Sequence, residues 1–117
     1  MSRLPLAAAL AAAPALAAEP EALIFSAGTD SYAVPAEALA SLEAGGEGGL
    51  TLCFSEAAEA EIAAFTERQQ GGTVTVSIGE RALFDLQVVE PYAGGCITWP
   101  LHPKLAETYR GWLTGEG

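Results

Sequence analysis

One histidine, two cysteines and five cationic side chains are all this 117-residue sequence offers to several kinds of chemistry. The histidine, His102, lies in a proline-bounded turn, and Cys53 and Cys96 are too far apart for a Cys-x-x-Cys pair. A zinc site takes about four Cys, His or carboxylate ligands at recurring spacings, so neither a metal nor a cofactor is expected. The scarce cations are Arg3, Arg68, Arg81, Lys104 and Arg110, against 15 acidic residues and a formal net charge of −10. Phosphate backbones and anionic lipids are held by Lys and Arg, so neither nucleic acid nor a membrane surface fits as a partner. The acidity is read first as a device that keeps a small domain dissolved and monomeric, ahead of a dedicated cationic ligand. Also missing are a nucleophile elbow and a phosphate loop. Glu56, Glu59 and Glu61 are spaced as a solvated helix face, His102 has no partner legible in sequence, and Ser55 reads as a helix cap. The chain is therefore not expected to be an enzyme.

Long apolar runs are also scarce, with one exception at the start. Arg3 is the only charge in the first eighteen residues, and an alanine-rich run ends in Ala15-Leu16-Ala17. A basic start, an apolar stretch and a small-x-small site make a secretory signal peptide over residues 1–17. The competing reading, a buried helix, is opposed by Pro5 and Pro14, since proline removes a backbone donor and clashes within a helix. The run is also short of the about 20 residues of a membrane span. Residues 18–117 are then one small exported domain, with the periplasm as its expected location. An even cysteine count in such a compartment favours a Cys53–Cys96 disulfide; two separate buried thiols are the alternative. If the bond forms, the strands carrying the two cysteines must be neighbours.

Within that domain, residues 22–26 and 31–34 read as a small hairpin about Gly28-Thr29-Asp30. Residues 36–44, after Pro35 and with Leu39 and Leu42 three apart, read as a short helix. The glycine-rich stretch 45–49 is a loop. Residues 50–54 alternate as a strand, and Ser55 caps a helix with Ala58, Ile62 and Phe65 on one face, ending near Gln70. Residues 73–78 and 81–89 form a hairpin about Gly79-Glu80, with glycine first as in a type II′ turn. Residues 96–99 are a further strand, and Pro103 opens a last helix. The pattern predicts an α+β fold, an antiparallel sheet with helices on one face. Trp99 and Trp112 read as core residues before partner anchors.

Taken in order, Leu52-Cys53-Phe54-Ser55, Phe65-Thr66, Gly71, the apolar Val74, Val76 and Ile78, the strand from Arg81 to Val89, Glu90-Pro91, Gly94-Gly95, Ile97 and Leu105-Ala106 form a recognisable series. Over residues 50–113 the chain resembles the head subdomain of the first periplasmic domain of SecD, part of the SecDF protein-export complex. It departs from that pattern at the Gly79-Glu80 turn, in its cysteine pair, and at Phe84-Asp85-Leu86, which replaces the family's small-residue-proline element. SecD spans the membrane many times, so the resemblance implies the head's fold and a role in contacting polypeptide, not a translocase subunit. The expected function is an exported, non-enzymatic module that contacts unfolded or extended polypeptide, by strand addition or in an apolar groove. Phe84 and Leu86 are its candidate contacts. Asp85, an acid in mid-strand, reads as solvent-facing or as part of that surface. The alternative is a specific inhibitor or structural partner of one periplasmic protein. A small hydrolase ranks last.

Overall fold

The computed structural model describes residues 19–45 and 49–116. The expected signal peptide, and most of the glycine loop after residue 45, lie outside the described residues. Strand β1 (Leu23–Ala27) and β2 (Asp30–Val34) are followed by a short 3-10 turn (Ala36–Ala38) and by β3 (Leu39–Gly45). Then come β4 (Gly49–Phe54), helix α1 (Glu56–Arg68), the hairpin of β5 (Thr73–Ile78) and β6 (Arg81–Gln87), β7 (Ile97–Trp99) and helix α2 (Pro103–Thr114).

The fold is α+β, but the sheet expected as one is two. A four-stranded antiparallel sheet has the order β2-β1-β5-β6, and a three-stranded one the order β3-β4-β7. The correction begins at residues 36–44. Only Ala36–Ala38 turn; the rest is strand β3, paired with β4. The misleading signal was the three-residue spacing of Leu39 and Leu42. A bulge between Leu39 and Ser41 inserts Ala40, so Leu39 lies opposite Phe54 and Leu42 opposite Leu52. One extra residue turns a strand's period of two into a single step of three. With β3 in place, β4 has partners on both sides, and the second sheet exists.

Elsewhere local chemistry and structure agree. Alternation puts Leu50, Leu52 and Phe54 of β4 and Val74, Val76 and Ile78 of β5 in the core, with Ile78 opposite Leu23 and Val76 opposite Phe25 of β1. Ser55 caps α1, its hydroxyl accepting from the Ala58 amide at 3.2 Å. Ala58, Ile62 and Phe65 are the buried face of that helix, and the Phe65 ring lies 6.5 Å from Phe25. The far end of α1 is tied down by Arg68, which donates through Nε and Nη2 to Asp30 at 2.9 and 3.1 Å, with Gln69 donating to the same carboxylate. That arginine holds the Asp30 carboxyl below its ordinary range. His102 caps α2, its Nδ1 accepting from the Lys104 amide. Buried Ala106, Tyr109 and Leu113 line one side of α2, with half-buried Trp112 beside them.

The return strand ends at Gln87, two residues before the expected Val89, and β7 begins at Ile97 instead of Cys96. β4 and β7 are antiparallel neighbours, with Leu52 opposite Ile97. Cys53 and Cys96 therefore meet, and they form a disulfide with their Cα atoms 4.2 Å apart. Cross-linking a loop of this length is worth about 4 kcal/mol in the chain-entropy account.

Candidate functional site: the free edges of the two sheets

Among the described residues, strand β6 has a partner only on its β5 side, and β7 only on its β4 side. Each therefore leaves one edge unpaired, and the side chains between the two edges define the site. A second bulge sets their directions. Val76 lies opposite Phe84 but Ser77 opposite Ala82, so Leu83 is the extra residue. The slip puts Arg81, Phe84 and Leu86 on the face shared by Ile78, Val76 and Val74, and Asp85 on the other. Arg81 then lies over the Trp112 ring, its Cζ 4.1 Å from the centroid, and donates to both oxygens of Glu21 at 2.8 and 2.7 Å. Trp112 is covered by a cation–π contact of this chain's own.

Phe84 and Leu86 do meet the other sheet. The Phe84 ring stands edge-on to Trp99 of β7, centroids 5.1 Å apart and planes at 81°. Trp99 is buried and Phe84 half-buried. Two clefts open beside this contact. One, of about 280 Å³, lies between Phe84, Leu86, Trp99, Pro100 and Leu101. The other, of about 170 Å³, has Leu86 and Trp99 in its wall too, and reaches Ile62 and Thr66 of α1 and Tyr92 and Glu90 of the loop after β6. Leu86 and Trp99 are thus the shared wall of both. Asp85 is exposed, and accepts a hydrogen bond from Thr75 Oγ1 across the strand pair at 2.8 Å. It faces solvent on the side away from the clefts.

The loop 88–96 forms the far wall and is held at several points. Gly71 and Val88 exchange backbone bonds with their neighbours, Gly71 N donating to Val88 O at 2.7 Å and Val88 N to Gly72 O at 2.9 Å. The Tyr92 amide donates to Thr66 Oγ1 at 2.8 Å, the Tyr92 hydroxyl donates to the Gly95 carbonyl, and the Gly95 amide donates to Glu59 Oε2 at 3.2 Å. Burial and then the nearby Glu59 carboxylate raise the Tyr92 phenol above its ordinary value. The disulfide fixes the end of the same loop to β4.

Sequence reasoning singled out Phe84 and Leu86 but not Tyr92, Ile97 or Leu101. An aromatic inside the Pro91–Gly95 loop is the one signal that pointed to Tyr92; nothing in the sequence places Leu101 beside Leu86. His102 is exposed and lies outside these clefts. Of the three helix glutamates, Glu56 and Glu61 are exposed, whereas Glu59 is half-buried under Gly95. Among the described residues no group of three or more His, Cys, Asp or Glu is placed to hold a metal ion, and no helix is long and apolar enough to cross a membrane. In comparisons with protein-family models, with curated proteins and with solved structures, nothing matches this chain.

Proposed function

We propose that this chain is an exported, non-enzymatic binding module that holds extended polypeptide at the β6 edge. The observation that carries the reading is the placing of apolar clefts beside a strand edge that has no partner among the described residues, with Leu86 and Trp99 as their common wall. A free strand edge supplies backbone donors and acceptors to an incoming strand, and pockets beside it select alternate side chains. The bulge at Leu83 and the charge of Arg81 blunt the start of β6. Phe84–Gln87 beyond them keep regular pairing on the β5 side.

A periplasmic setting belongs to the same proposal. The disulfide suits an oxidising compartment, and the resemblance to the SecD head subdomain supports a polypeptide as ligand. Fluorescence titration of Trp99 and Trp112 with short extended apolar peptides tests the reading. Peptides that bind should lose affinity when alternate backbone amides are N-methylated, because methylation removes the donors needed for strand pairing. Equal binding of the methylated peptide would rule out strand addition without touching the protein's own fold. Loss of binding in the double variant Phe84→Ser, Leu86→Ser, with the helical and strand signals retained, assigns the contact to this edge.

A further inference from the structure

The distribution of charge around the clefts narrows the class of polypeptide, and this step rests on the edge-binding reading. Among the described residues the arginines are engaged within the chain: Arg68 with Asp30, Arg81 with Glu21, and Arg110 with Glu107 and Glu116. None of these pairs lines the two clefts beside Leu86 and Trp99. The charged group that does is Glu90. Tyr92, in the same wall, also borders a third cleft of about 330 Å³ that runs along the first turns of α1, between Glu56, Glu59 and Gly94. Through the shared walls of Leu86, Trp99 and Tyr92 the three clefts adjoin in series. The series begins apolar at Phe84 and Leu101 and ends among carboxylates. Glu56, Glu59 and Glu90 form no ion pair with any described cation.

We infer that the occupant is a cationic extended segment, with apolar side chains seated beside Leu86 and Trp99 and a Lys or Arg directed to Glu90 and Glu59. Charge complementarity decides this against a neutral or acidic segment. A −10 chain repels acidic partners at distance, and an apolar segment without cations offers no counter-charge to Glu56, Glu59 and Glu90. The acidity first read as a solubility device thus acquires a local role at the end of a groove.

The test uses three synthetic peptides with the same alternating apolar residues and Lys, Ser or Glu between them, titrated at low ionic strength. The lysine peptide should bind about fivefold or more tighter than the serine peptide, as expected for two partly exposed ion pairs. The glutamate peptide should bind weakest. The advantage of lysine should shrink as salt rises, and should vanish in Glu59→Gln, Glu90→Gln. It should persist in Glu37→Gln, Glu43→Gln, which removes the same charge from exposed positions elsewhere. Equal affinity for the lysine and serine peptides overturns the inference and leaves edge binding standing. So does a lysine advantage reduced alike by both double variants, which would be an effect of net charge alone. Failure of all three peptides to bind overturns edge binding itself, and the inference with it.

Discussion

Gly49 shows how closely the two ends of the second sheet fit. Its φ is +83°, in the left-handed region, and a Cβ built there would collide with the backbone carbonyl of Trp99 and sit 2.5 Å from the Leu101 amide nitrogen. Backbone cannot swing aside as a side chain can. Gly49→Ala should therefore cost roughly 2–4 kcal/mol, from left-handed strain and overpacking together, read as a fall in the denaturant midpoint. Because the clash falls on Trp99 and Leu101, the same change should disturb the cleft wall. Two phenols make a second prediction at this scale. Burial and then a carboxylate, Glu61 for Tyr32 and Glu59 for Tyr92, raise both above the ordinary 10.0. The folded chain then holds these protons more tightly than the unfolded chain does. The stability these two phenols contribute is full below pH 10.0 and is lost as pH rises through the raised values. Denaturant midpoints on either side of that range should show the fall, and Glu59→Gln should move the Tyr92 tyrosinate absorbance change to lower pH.

At the scale of elements, what was legible was what obeyed one period throughout. Leu50, Leu52 and Phe54, or Val74, Val76 and Ile78, alternate without interruption, and both strands were read correctly. Helix α1 carries its own start signal in Ser55 and its own buried face. Removing the cap in Ser55→Ala should cost about 1 kcal/mol, visible as a lower melting temperature. An unchanged one would mean that the Ala58 amide finds another acceptor. What escaped was each place where a bulge breaks the period. Ala40 disguised β3 as a helix, and Leu83 hid the fact that Arg81 and Phe84 share a face. Bulges depend on pairing with a strand distant in sequence, so no local pattern announces them. The candidate contacts Phe84 and Leu86 are singled out in the sequence only by their departure from a resembled pattern. Their neighbours Trp99, Leu101 and Tyr92 come from other elements, and tertiary packing alone brings them together.

For the molecule as a whole, the second sheet is the main gain over the sequence reading, and it carries the disulfide expected from the sequence. The bond joins β4 to the loop that walls the clefts, so its loss should be felt both in stability and at the site. Reduction, or Cys53→Ser with Cys96→Ser, should lower stability by about 4 kcal/mol. Denaturant unfolding with and without reductant measures it; superimposable curves would show that the hydrogen bonds of loop 88–96 suffice. The central claim, that the β6 edge receives an extended polypeptide, is tested most directly by backbone amide exchange on the bound and free protein. With a saturating peptide, added protection should concentrate in residues 84–87 and 97–99, with little change in α2. Protection confined to α2, or to the outer face of β1 and β2, would contradict the account.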